Sequence, residues 1–88
     1  MEIEEIKKLI GKIISTRDTQ ECHNCDTVIA DIQFDGKYYV FLDSENDCIV
    51  GIKPEDIEEF VTNNQISYKY NYFDRKCSVT FTISENNE

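Results

Sequence analysis

The spacing of apolar residues changes along the chain, and each change predicts a different kind of element. In the opening stretch MEIEEIKKLIGKII, the residues Ile3, Ile6, Leu9, Ile10, Ile13 and Ile14 recur at steps of three and four, which lines one face of a helix. Glu2, Glu4 and Glu5 at its start and Lys7, Lys8 and Lys12 further on suit the helix dipole, while Gly11 only weakens the element. The pattern predicts a helix over 2–14. From Thr27 the period falls to two: Val28, Ala30, Ile32 and Phe34 alternate with Ile29, Asp31, Gln33 and Asp35, as in a half-buried strand. Asp35-Gly36 then joins this run to a second apolar one. That dipeptide favours a type I′ hairpin turn, in which both central residues take positive φ. Such a turn sets Phe34 opposite Lys37, Ile32 opposite Tyr39 and Ala30 opposite Phe41. Tyr39 and Phe41 then face the core, with Val40 and Leu42 on the other face.

Cys48-Ile49-Val50 reads as a short third strand. Pro54 fits the first position of a second helix, Glu55 and Asp56 favour its positive end, and Ile57, Phe60 and Val61 form its buried stripe. Asn63-Asn64 ends it. The tail is a second hairpin, in which Ile66, Tyr68, Tyr70 and Tyr72 face Ile83, Phe81, Val79 and Cys77 around a turn at 73–76. Ser67, Lys69, Asn71, Ser78, Thr80 and Thr82 make its polar side. The order α-β-β-(β)-α-β-β predicts an α+β fold, one antiparallel sheet carrying two helices on one face. Residues 1–88 form a single acidic α+β domain without repeat or linker, and the closing SENNE is expected to fray.

Charge changes this picture more than composition does. Twelve acids lie between Asp18 and Glu59, opposed only by Lys37 and Lys53, so this segment carries −10 while the whole chain carries −9. The acidity is regional. Such a field repels nucleic acid and anionic membranes and draws in basic partners, so neither direct nucleic-acid binding nor membrane binding is expected. No apolar run nears the roughly 20 residues of a membrane helix, and the acidic N-terminus suits neither a secretory signal nor a transit peptide. A cytoplasmic monomer is expected.

Enzymatic chemistry finds little footing. His23 is the single histidine, no nucleophile motif points at it, and three glycines form no phosphate loop. The reading is therefore non-enzymatic and needs no cofactor. Cys22 and Cys25 form CHNC, with Cys48 and Cys77 standing alone; a structural zinc site normally shows two short ligand pairs. Cys22, Cys25, Cys48 and Cys77 remain the alternative metal set of a small zinc-bound domain. Otherwise Cys48 and Cys77 are small core residues. The acids after the first hairpin carry the sharper reading. If extended, Asp43, Glu45 and Asp47 share one side at a spacing of roughly 6.6 Å, similar in scale to a strip of backbone phosphates. Such a strip suits arginines and lysines that otherwise grip DNA.

The stretch DGKYYVFLDSENDCIV, Asp35 to Val50, resembles the central hairpin of a small phage-encoded anti-CRISPR family that inhibits type II-A effector nucleases. The shared letters are Asp35-Gly36, Tyr39-Val40, Ser44-Glu45-Asn46 and Ile49-Val50. Overall length, an N-terminal amphipathic helix and a Thr-rich alternating tail ending in Ser84-Glu85 are similar too. The resemblance implies binding to the guide-loaded nuclease and occupation of the groove in which it reads the short motif beside its target. It places Asp35 and Gly36 in that pocket. Lys37 and Tyr38 stand where the family has polar or acidic tip residues, and Glu55, Asp56, Glu58 and Glu59 stand in for the family's late acidic run. The expected binding surface is thus Asp35, Gly36, Lys37, Tyr38, Asp43, Glu45, Asp47, Glu55, Asp56, Glu58 and Glu59. It belongs to a DNA mimic that blocks a type II CRISPR effector nuclease with its guide RNA, in the cytoplasm of a bacterial host. The alternative is an acidic interaction or immunity protein against another basic nucleic-acid-binding partner.

Overall fold

Gly11 is where the chain first departs from its apolar periodicity. The computed structural model describes residues 1–20 and 24–86. In it helix α1 spans only Ile3–Ile6, followed by a 3-10 turn at Lys7–Leu9. Ile10 turns extended at ψ 131° and Gly11 takes φ +97°, a conformation that glycine adopts cheaply. Ile13–Asp18 then run as strand β1, so the expected helix over 2–14 is replaced by a short helix and a strand. The β-branched pair Ile13-Ile14 suits a strand, and Ile14 is fully buried there.

The remaining strands are β2 (Cys25–Val28), β3 (Asp31–Phe34), β4 (Tyr39–Leu42), β5 (Cys48–Ile52), β6 (Gln65–Tyr72) and β7 (Arg75–Ser84), with helix α2 (Pro54–Asn63) between β5 and β6. The α+β class holds. In place of one sheet there are two, all antiparallel: four strands in the order β2-β1-β7-β6 and three in the order β3-β4-β5. The continuous strand expected from Thr27 breaks at Ile29-Ala30 because its halves serve different sheets. Ile29 N–H donates to Lys12 O and Ala30 N–H to Leu42 O, each at 2.8 Å. The break also resets which residues face inward. Ile29 and Ile32 are fully buried, whereas Ala30, Val28 and Phe34 are exposed.

Both hairpins slip against their expected registers. Phe34 pairs with Tyr39 and Ile32 with Phe41, so residues 35–38 connect β3 to β4. In the tail Tyr72 pairs with Arg75, Tyr70 with Cys77, Tyr68 with Val79 and Ile66 with Phe81, around the two-residue turn Phe73-Asp74. Each slip moves partners by two residues, which preserves the face every side chain lies on. Ile66 is buried, Tyr68 and Tyr70 are half-buried, and Tyr72 is exposed. The tyrosine row thus leaves the core along its length.

One core joins the layers. It gathers Ile14, Ile66, Phe81 and Ile83 from the four-stranded sheet, Ile32, Phe41, Val50 and Ile52 from the three-stranded one, Ile6 and Leu9 from the N-terminal turns, and Ile57 and Phe60 from α2. As expected, α2 starts on Pro54 and buries Ile57 and Phe60. It stops at Asn64, which has φ 57°, while Asn64 O accepts the Ile83 N–H at 2.8 Å. A β-branched residue clashes with itself at such a φ. Asn64→Val is therefore expected to lower the unfolding free energy by about 1–2 kcal/mol, with Asn64→Gly staying near wild type. Denaturant unfolding checks this; equal midpoints for the two variants would contradict the role of Asn64. At the far end β7 reaches Ser84, and Lys12 Nζ lies 2.7 Å from Glu85 Oε1 in an exposed ion pair. No helix of the described residues is long and apolar enough to cross a membrane.

Candidate partner-binding surface

The first hairpin turn is built by the carboxylate of Asp35. Its Oδ1 accepts the Tyr38 N–H at 2.7 Å and the Lys37 N–H at 2.8 Å, and Asp35 N–H donates to Tyr38 O at 3.1 Å. Gly36 has φ +101°, but Asp35 and Lys37 do not take positive φ. The expected type I′ turn with Asp35-Gly36 at its centre is therefore replaced by a turn centred on Gly36-Lys37 in which Gly36 alone takes positive φ. Asp35 stands at its foot, with its charge folded onto its own backbone. Gly36 and Lys37 are exposed at the tip, and Tyr38 lies over Gly51, its Cβ 3.5 Å from where a Cβ on Gly51 would stand.

These N–H groups, Tyr38's above all, hold the Asp35 carboxyl below its usual 3.8. A folded-state pKa below the unfolded one adds stability that is present above the unfolded value and is lost as pH falls through the folded one. The stability difference between wild type and Asp35→Asn is thus expected to shrink on acidification below about pH 4. Denaturation at a series of pH values reads it. A gap unchanged down to about pH 3 would show that the turn does not hold the charge.

The second acidic stretch departs further from expectation. Asp43, Glu45 and Asp47 do not form an extended strip. Asp43 Oδ1 accepts both the Glu45 and the Asp47 N–H at 2.9 Å, Asp43 N–H donates to Asp47 O at 2.9 Å, and Asn46 takes φ 66°. Residues 43–47 close a tight loop around one carboxylate, because a short acid at a turn satisfies backbone donors that no strand partner reaches. Glu45 and Asp47 remain exposed on its rim.

On α2, Glu55, Glu58 and Glu59 are exposed, while Asp56 is half-buried and accepts the Tyr68 hydroxyl at 3.3 Å. Burial first, and the Asp56 charge second, push the Tyr68 hydroxyl up to about 12. Glu55 has Lys53 at 4.0 Å; Glu45, Asp47, Glu58 and Glu59 have no ion-pair partner among the described residues. The eleven expected surface residues thus divide. Asp35, Asp43 and Asp56 shape the surface, and Glu45, Asp47, Glu55, Glu58 and Glu59 present charge. Lys37, Tyr38 and Glu55 meet Lys53 and Pro54 around a shallow, mainly apolar recess of about 400 Å³. Sequence reading missed this recess, because it depends on the hairpin tip lying beside the start of α2.

The charges sort along the chain. Segment 31–63, which holds the three-stranded sheet and α2, carries nine acids against Lys37 and Lys53. Strands β1, β2, β6 and β7 carry Arg17, Lys69, Arg75 and Lys76 against Asp18 and Asp26, and Arg17 pairs with Asp26 at 2.9 Å. Counted with their connections, residues 31–63 carry −7 and the rest of the chain −2, so most of the negative charge falls in that one segment.

The three described thiols are free and form no disulfide with one another. Cys25 is exposed on β2 and Cys48 is exposed on β5 in the other sheet, so Cys48 is not the core residue expected. Cys77 is buried on β7, with Gln20 Nε2 3.1 Å from its Sγ. Cys22 and His23 lie outside the described residues. Among the described residues no three His, Cys, Asp or Glu side chains come together as a metal site. A second concavity, about 490 Å³, lies near the turn of the β6–β7 hairpin between Thr19, Lys69, Asn71, Lys76 and Ser78. Comparison with protein-family models, curated proteins and solved structures finds no match to this chain.

Proposed function

We propose that this chain is a non-enzymatic acidic inhibitor that occupies a nucleic-acid-binding groove of a basic protein. The resemblance over Asp35–Val50 names the partner to test first, a guide-loaded type II CRISPR effector nuclease, and such an inhibitor acts in the cytoplasm of a bacterial host. The observation that carries the reading is the concentration of charge in segment 31–63. Exposed Glu45 and Asp47 lie on the β4–β5 loop and exposed Glu55, Glu58 and Glu59 on α2, with a single weak ion pair among them. A surface of that sign competes with phosphates for the same arginines and lysines. Asp35 enters this scheme through shape. It fixes the tip that presents Gly36 and Lys37, and the charge comes from the loop rim and α2.

The experiment is a pull-down of purified type II effector nucleases, with and without guide RNA, at low and moderate salt. Guide-dependent capture that weakens with salt is expected. No capture across the panel would move the reading to another basic nucleic-acid-binding protein.

A further inference from the structure

Charge reverses sign at the turn end of the β6–β7 hairpin. Residues 69–78 carry Lys69, Arg75 and Lys76 against Asp74 alone, a local +2 in a chain of −9. None of these three cations has an ion-pair partner among the described residues. Lys69 pairs with Ser78 and Asn71 with Lys76, so these four side chains share one face of the sheet. It is the face turned away from the core, since Tyr70 and buried Cys77 lie on the other. With Thr19, whose Oγ1 accepts the Ser78 N–H at 3.1 Å, they line the concavity of about 490 Å³. The lining brings together two ammonium groups, the Thr19 and Ser78 hydroxyls and the Asn71 amide, and it holds no carboxylate. That set suits phosphate oxygens, and the volume admits a nucleotide rather than a bare ion.

An aromatic platform stands at the same end. Phe73, in the turn, is the most exposed apolar side chain of the described residues, at 86%. Its φ of 52° is one that bulky residues rarely enter and that asparagine or glycine fills at lower cost, so folding gains nothing from phenylalanine here. The half-exposed Tyr72 ring meets it at 82° with centroids 4.6 Å apart, which steadies Phe73 while a face stays open to solvent. Open rings beside unpaired cations are the means by which proteins hold single strands: bases stack on the rings and phosphates meet the cations. A duplex keeps its bases stacked inside and offers Phe73 nothing.

We propose that this hairpin end binds single-stranded RNA, with a base on Phe73 and phosphates at Lys69, Arg75 and Lys76. The identity of the strand rests on the function proposed above: it is the guide, whose first-pairing segment begins beside the groove in which the target motif is read. The acids of α2 do not close the site to phosphates. Asp56 meets the Tyr68 hydroxyl on the core side of the sheet, as Asp18 meets Tyr70, and the cavity opens on the other side. At physiological salt their field is screened within about 8 Å.

Fluorescence anisotropy of a short labelled oligouridine with the full chain tests the site without any nuclease. Wild type is expected to bind with a dissociation constant on the order of 0.1 mM, and with three phosphate contacts log K should fall against log salt with a slope of about −2. Lys69→Gln/Lys76→Gln should cut that slope to about −0.7. Phe73→Asn suits the positive φ, so it should fold at least as well as wild type, bind about 10-fold more weakly and keep the slope. An oligouridine that stays unbound up to about 1 mM protein would overturn the proposal and leave the inhibitor reading standing. Variants that bind like wild type would overturn it too. Where a guide-loaded nuclease is captured, Phe73→Asn should weaken capture by about the same factor of 10, and unchanged capture would exclude the guide as the strand. RNA binding by a chain that captures no nuclease would overturn the inhibitor reading and keep the site.

Discussion

Phe41→Ala is expected to remove a large part of the stability of this protein. Phe41 and Phe60 are both fully buried, and their rings meet edge-on at 5.6 Å, one from the centre of the three-stranded sheet and the other from α2. The pair joins the helix to the sheet that carries the acids. Replacing a buried phenylalanine by alanine typically costs about 3–5 kcal/mol, because apolar transfer is lost and a cavity remains. A domain of this size holds only about 4–13 kcal/mol in total. A fall in melting temperature of about 12 °C or more is expected. Phe60→Leu, which keeps most of the volume, should cost far less, about 1 kcal/mol. Calorimetric or denaturant unfolding of the two variants decides; equal small losses would mean that the ring pair does not hold the layers together.

The second large effect concerns binding. Glu55, Glu58 and Glu59 lie on the exposed side of α2, away from Ile57 and Phe60, so Glu55→Lys/Glu58→Lys/Glu59→Lys changes the net charge by six with little disturbance of the core. A lysine in the first turn opposes the helix dipole, a cost of about 0.3–1 kcal/mol, and the variant should still fold. Each reversal both removes an attraction and installs a repulsion, and exposed pairs are worth about 0.2–1 kcal/mol each. Affinity for the basic partner should fall about 100-fold, most of it in the association rate and most strongly at low salt. Reversing Glu2, Glu4 and Glu5 of the N-terminal segment makes the same change in net charge as a control. If both triple variants lost affinity equally, net charge would explain binding and the acidic layer would not.

Much of this architecture was legible in the spacing of residues. Pro54, Ile57, Phe60 and the Asn63-Asn64 stop marked α2 because each has a local physical role, and the structure places all of them as read. The faces of the second hairpin were also legible, since the two-residue period survives a slip of two; in the first, Phe34 is exposed and Leu42 buried against the reading, with an irregular register at Phe41-Leu42. The errors share one cause, competition between local pattern and distant partners. Ile10, Ile13 and Ile14 fit a helix as well as Ile13 and Ile14 fit a strand, and only the slot between β2 and β7 chose the strand. Ile29-Ala30 looked like two more residues of an alternating strand, yet that is where the chain passes from one sheet to the other. At the site, the acidic residues were found by composition, but their roles were not. Whether a carboxylate points to solvent or caps its own turn depends on loop geometry, and Asp35 and Asp43 do the latter. The recess under Tyr38 had no sequence signal, because it arises where two separate segments meet.

The central claim is that the acidic layer takes the place of DNA. The most direct measurement is displacement of a labelled target duplex from the guide-loaded nuclease by increasing amounts of this protein. The account predicts that bound duplex is lost as the protein binds, with no complex containing both, and that added salt weakens the displacement. A stable ternary complex, in which protein and duplex sit on the nuclease together, would contradict it.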